Sequence, residues 1–146
     1  MLSALRRKLA GVAVAGMLAI GFGVANASPA SADLNQCFDG YYCQWEHSNY
    51  TGDFGQARYD TWYFGPMTDS ASSLWNNRAE WATLYLNTSY TGECLWVKPR
   101  GWHYAIPWPM YDRFDSYRVG RHWTKGQFGE SVPCSYTIGE GTFVKT

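Results

Sequence analysis

Apolar positions along this chain fall into one long unbroken run and then many short, punctuated ones. Leu9 to Val24 is 16 residues without a charge, preceded by Arg6-Arg7-Lys8 and followed by the small-residue triplet Ala30-Ser31-Ala32. A basic start, an apolar stretch and small residues at the cleavage positions predict a secretory signal peptide over residues 1–32. The run is short and rich in Ala and Gly, whereas a spanning helix needs about 20 strongly apolar residues. Ala25-Asn26-Ala27 offers a second cleavage position, and Arg6-Arg7 raises a twin-arginine route. Composition turns polar at Asp33, so residues 33–146 are read as the exported domain.

Beyond Asp33 no apolar stretch keeps a helical period. Tyr41-Tyr42-Cys43-Gln44-Trp45, Ala82-Thr83-Leu84-Tyr85-Leu86 and Cys94-Leu95-Trp96-Val97 are short, β-prone runs bounded by Gly, Asn, Asp, Ser or Pro. Ser116-Tyr117-Arg118-Val119 and Thr142-Phe143-Val144 are further candidates, and one helical turn fits near Ser70 to Trp75. The expected class is all-β, a sandwich or barrel.

A repeat gives this pattern an order. Trp45-Glu46-His47-Ser48-Asn49-Tyr50-Thr51-Gly52 aligns with Tyr85-Leu86-Asn87-Thr88-Ser89-Tyr90-Thr91-Gly92, offset by 40 residues. Aromatics five apart face opposite sides of a straight strand, so packing them together requires the chain to fold over between them. Gly52 and Gly92 suit a positive φ in that fold-over. Each copy is followed by an Asp- and Ser-bearing segment, Asp69-Ser70-Ala71-Ser72-Ser73-Leu74 and Asp112-Arg113-Phe114-Asp115-Ser116-Tyr117. Ser73 and Ser116 are placed to hydrogen-bond the folded hairpin's exposed backbone. Two such units pair into a Greek-key sandwich, with units at roughly 33–79 and 80–120 and a tail at 121–146.

Charge and cysteine content narrow the setting. The chain holds 12 basic and 12 acidic residues. Removing the leader takes three basic ones, leaving nine against twelve and a net charge of −3. That surface, with no basic run of five, argues against nucleic acid or an anionic membrane as partner. Cys37, Cys43, Cys94 and Cys134 all lie in the exported part, where an even count reads as two disulfides. Three pairings are open; Cys37 with Cys43 is the local choice, leaving Cys94 with Cys134. No CxxC pair or ligand-spaced His is present, so zinc is not expected, and neither is a cofactor.

Candidate chemistry is sparse. His-Glu-x-x-His, Gly-x-Ser-x-Gly and phosphate-binding Gly loops are absent from the sequence. Asp112 with Asp115, or Asp53 with Asp60, are turn and surface aspartates before they are glycosidase pairs. An enzyme is not expected. The segment Gly101-Trp102-His103-Tyr104-Ala105-Ile106-Pro107-Trp108-Pro109 reads as an exposed aromatic loop. Trp102, Tyr104 and Trp108 are therefore a candidate surface for a protein or sugar. Asn49-Tyr50-Thr51 and Asn87-Thr88-Ser89 fit glycosylation sequons, though both lie inside the repeat.

The repeated residues Trp45, Tyr50, Gly52, Ser73 and Tyr85, Tyr90, Gly92, Ser116 resemble the βγ-crystallin Greek-key motif. Calcium-binding members of that group carry a pair of Asn or Asp residues ahead of a Ser/Thr-Ser. Here Asp69 with Ser72 and Asp112 with Asp115 are the matching positions, and Thr68 and Tyr111 replace the first acidic or amide residue. Together with Cys37 to Trp45 leading and Asp69 to Asn77 following, the chain resembles peptidase inhibitor family I36. That family includes secreted inhibitors of thermolysin-like metalloproteases. The resemblance implies a monomeric secreted inhibitor that inserts a substrate-like loop beginning at a cysteine of the second unit. The matching segment is Cys94-Leu95-Trp96-Val97, with Leu95 as the bulky residue such enzymes prefer after the cut. The family's second, loop-closing cysteine is missing, and Cys134 is the next one. The alternative is a secreted binding or toxin-like module acting on cell wall or carbohydrate, stabilised by calcium if the aspartate positions hold it.

Overall fold

A computed structural model describes residues 34–126 and 129–146; the expected signal peptide lies outside them. Among the described residues ten strands carry the fold: β1 Tyr41–His47, β2 Thr51–Ala57, β3 Ser73–Asn77, β4 Ala82–Asn87, β5 Thr91–His103, β6 Ser116–Val119, β7 Thr124–Lys125, β8 Ser131–Val132, β9 Tyr136–Glu140 and β10 Phe143–Lys145. Among the described residues helix is confined to three-residue 3-10 turns at Leu34–Gln36, Gly65–Met67 and Thr88–Tyr90. The helical turn expected near Ser70 to Trp75 is not there. Asp69 takes φ 51°, breaking any helical run at its start, and from Ser73 the chain is extended in β3.

The two units repeat their hydrogen bonding residue for residue. β1 pairs with β2 and β3, and β4 pairs with β5 and β6, all antiparallel. Each unit then lends a segment to the other. Leu74, which follows Ser73, pairs with His103 of the second unit. Tyr117, which follows Ser116, bridges to Thr61 of the first. The aspartates form a matching pair of exchanges: Asp69 N–H donates to Phe114 O at 3.2 Å and Asp112 N–H donates to Ala71 O at 3.1 Å. This exchange locks the two units into one body.

The folded hairpins have the geometry that the aromatic spacing demands. Trp45 meets Tyr50 edge-on at 5.1 Å between ring centroids, and Tyr85 meets Tyr90 at 6.0 Å. Gly52 and Gly92 sit at φ 81° and 80°. A Cβ at Gly92 falls 2.6 Å from Asn87 Nδ2, so the site needs glycine both for its dihedral and for its closeness.

Tyr42, Leu74, Leu84, Leu95, Val97, Phe114, Tyr117 and Ile138 fill the main core. Tyr42 and Tyr117 stack at 4.8 Å in it, one from each unit. Two smaller clusters cap the outer faces, each built on a disulfide and its aromatic neighbours. Cys37–Cys43 lies with Trp45, and Cys94–Cys134 lies with Tyr85 and Trp96. The chain after Arg121 adds strands: β9 runs parallel to β5, β10 pairs with β9, and β7 pairs with β8. Among the described residues no helix is long and apolar enough to cross a membrane.

Candidate inhibitory surface

Cys94, Leu95, Trp96 and Val97 form no exposed loop. All four are buried in β5, with β4 hydrogen-bonded on one side and β9 on the other. Four consecutive apolar residues fill both faces of the strand. Leu95 and Val97 enter the main core, while Cys94 and Trp96 enter the outer cluster with Cys134. Trp96 Nε1 donates to His122 O at 2.6 Å, and the Arg121 guanidinium lies 3.9 Å over its ring. No peptidase cleft reaches this segment while the strand is paired, so its assignment as the inhibitory loop is overturned by burial.

The other disulfide closes a small ring at the surface. Cys37 and Cys43 are buried, yet Phe38 between them is 62% exposed. Gly40, at φ 81°, lets the chain turn back, and Tyr41 N–H donates to Phe38 O at 3.2 Å. Asn77 Nδ2 donates to Cys37 O at 3.0 Å, and Gly40 N–H donates to Asn77 O at 2.7 Å. Arg78 Nη1 donates to Gly40 O, and Arg100 pairs with Asp39 at 2.6 Å. Sequence reading passed over Phe38. The signal was there in a single bulky residue ahead of Asp-Gly inside a closed C-x5-C ring.

The second candidate surface divides. Trp102 stands in β5, not in a loop, with Gly141 N–H donating to its carbonyl at 2.8 Å and its ring resting on the Gly141 backbone. With Leu34, Tyr50 and Trp75 it lines an apolar cleft of about 270 Å3. Tyr104 and Trp108 are not among the lining residues. Tyr104 stacks on His103 at 5.5 Å, and Trp108, 80% exposed, precedes the cis bond to Pro109. A third exposed aromatic group went unread in the sequence: Tyr59, Trp62 and Tyr63, on the segment that Thr61 ties to β6.

The calcium positions form two unlike pairs. Ser72 Oγ donates to Asp112 Oδ1 at 2.7 Å, closing one pair as an ordinary hydrogen bond. In the other, Asp115 lies close enough to Asp69 to feel its charge. Burial, then that charge, pushes the Asp115 carboxyl above its usual range, and its Oδ1 has no hydrogen-bond partner. Calcium takes six to eight oxygens. Among the described residues no three His, Cys, Asp or Glu side chains gather as a metal site.

Residues 30–97 match peptidase inhibitor family I36. That match supports a non-enzymatic peptidase inhibitor. The I36 region takes in the Cys37–Cys43 ring, the first unit and the start of β5, and it stops short of Trp102. A solved structure described as "Evolution of the eye lens beta-gamma-crystallin domain fold" aligns at TM-score 0.53 and 16% identity, covering 56% of this chain and 86% of that one. A βγ-crystallin domain from Flavobacterium johnsoniae aligns at TM-score 0.47 and 21% identity, covering 53% and 91%. The first likeness shows the fold, an all-β βγ-crystallin sandwich. No curated protein matches the chain.

Proposed function

We propose that this protein is exported and inhibits thermolysin-like metallo-endopeptidases outside the cell, through an exposed substrate-like segment. The I36 match carries the reading. The enzyme class follows from the resemblance of the Cys37 to Trp45 block and the repeat to that family. Two disulfides and the strand exchange between units supply what an inhibitor needs, a surface that loses little freedom when it binds. Purified residues 33–146 are expected to slow thermolysin at micromolar concentration and to leave subtilisin unaffected. Subtilisin slowed in place of thermolysin moves the target to serine peptidases. Neither enzyme slowed removes the proposal. The monomer is checked by size-exclusion chromatography in the same preparation.

One observation favours a second reading. The apolar cleft lined by Leu34, Tyr50, Trp75 and Trp102 offers aromatic faces of the kind that stack on sugars. A glycan pull-down lost on Trp102→Ala but kept on Trp108→Ala supports carbohydrate binding at this cleft, since Trp108 does not line it.

A further inference from the structure

We infer that the ring closed by Cys37–Cys43 is the segment that enters the peptidase, with Phe38 as its anchor. The inference rests on the inhibitor reading above and names its contact.

Three properties coincide in this ring. Phe38 presents a bulky apolar side chain to solvent at 62% exposure, flanked by Asp39, whose charge Arg100 neutralises at 2.6 Å. An apolar pocket that takes Phe38 gains by removing it from water. The backbone is held before any partner arrives. The carbonyls of Cys37, Phe38 and Gly40 all accept hydrogen bonds from groups of this chain, donated by Asn77, Tyr41 and Arg78. Binding therefore orders almost nothing new, which preserves affinity. Finally, the disulfide retains the product of a cut. If the peptidase hydrolyses the Cys37–Phe38 bond, water gives its hydroxyl to the Cys37 carbonyl carbon and a proton to the Phe38 nitrogen. Cys37 then stays bound through Sγ to Cys43, so neither end leaves and the bond can re-form.

The Asn77 contact adds a brake. A metallo-endopeptidase polarises the carbonyl of the bond it cuts, and here the Cys37 carbonyl already accepts from Asn77 Nδ2, which is buried. The ring presents its side chain while its carbonyl is held back against the domain. The other exposed aromatics lack this combination. Tyr59, Trp62 and Tyr63 lie in no disulfide ring, and Trp108 lies in the 40-residue Cys94–Cys134 span, which leaves cut ends loosely joined.

The test measures inhibition constants against thermolysin. Phe38→Ala is expected to weaken inhibition by about 30-fold or more, as a central anchor does, while Phe38→Leu, still bulky and apolar, retains it. Melting temperatures of both are expected to match the parent, since Phe38 is exposed. Long incubation followed by reduction and mass spectrometry is expected to show a cut between Cys37 and Phe38, with one intact mass, plus one water, before reduction. A parent that inhibits equally well as Phe38→Ala, or a first cut elsewhere, overturns the inference and leaves the inhibitor reading standing. Loss of inhibition on Trp62→Ala with Phe38→Ala unaffected does the same and moves the contact to that loop. A parent that inhibits nothing defeats the reading itself.

Discussion

Tyr50 donates its backbone N–H to Ser73 Oγ at 3.0 Å, across 23 residues of chain. Ser73 Oγ passes the bond on to His47 O at 2.7 Å. Tyr90, Ser116 and Asn87 repeat the arrangement at 3.1 and 2.6 Å. Tyr50 and Tyr90 both have φ near 60°, which turns their N–H groups out of any strand ladder. The serine hydroxyl thus serves as donor and acceptor at the point where the hairpin folds over. Ser73→Ala and Ser116→Ala each leave a backbone N–H and a carbonyl unsatisfied, costing about 1–3 kcal/mol. Urea melts should show that loss in each, with an unchanged slope.

Gly92 gives a sharper prediction. Its positive φ and the 2.6 Å approach of Asn87 Nδ2 act together. Gly92→Ala brings a left-handed penalty of about 1–2 kcal/mol and a clash on top of it. Gly40 has the same φ but nothing within 4 Å of its Cβ position. Gly40→Ala should therefore cost only the dihedral part. Thermal melts of the two variants side by side separate steric closeness from backbone conformation.

These local devices were legible in the sequence because each is written in adjacent residues: aromatic, four residues, aromatic, Thr, Gly, then a serine. What escaped is non-local. Nothing next to Thr61 or His103 announces that each pairs with the opposite unit, because that exchange is set by the way two twisted units meet. Nothing near Tyr136 announces a parallel partner in β5. The Cys94 to Val97 segment is instructive in another way. Its four apolar residues fit a buried strand on composition alone, and the family resemblance pulled it towards an exposed loop. Burial of all four resolves the conflict in favour of the residues.

The carboxylate pair makes stability depend on pH. Asp115 has a raised pKa in the folded state, through burial and then the charge of Asp69. A raised folded value means that protonation favours the native form. The stabilisation is complete below the unfolded pKa, about 3.9, and is lost as pH rises through the folded value. Ionised Asp115 therefore weakens the domain at neutral pH. Asp115→Asn should melt higher than the parent at pH 7 in EDTA, with the difference shrinking as pH falls towards 4. A difference constant with pH would mean that the gain comes from packing instead of charge.

Leu95 separates a structural role from an inhibitory one. It is fully buried between β4 and β9 and packs in the main core. Leu95→Ala removes that packing and leaves a cavity, a loss of about 2–5 kcal/mol. Its effect on inhibition should follow only the fraction unfolded. Assayed well below its melting temperature, the variant should match the parent's inhibition constant, whereas Phe38→Ala, folded just as well as the parent, should not. Cys94→Ser with Cys134→Ser extends the comparison. Opening that 40-residue loop costs about 4 kcal/mol in the chain-entropy account and frees the connection that holds β9 beside β5. Hydrogen exchange should then speed first at Tyr136 to Glu140, while the Cys37–Cys43 ring keeps its protection. Equal loss at both places would mean that the two disulfide clusters fold as one unit.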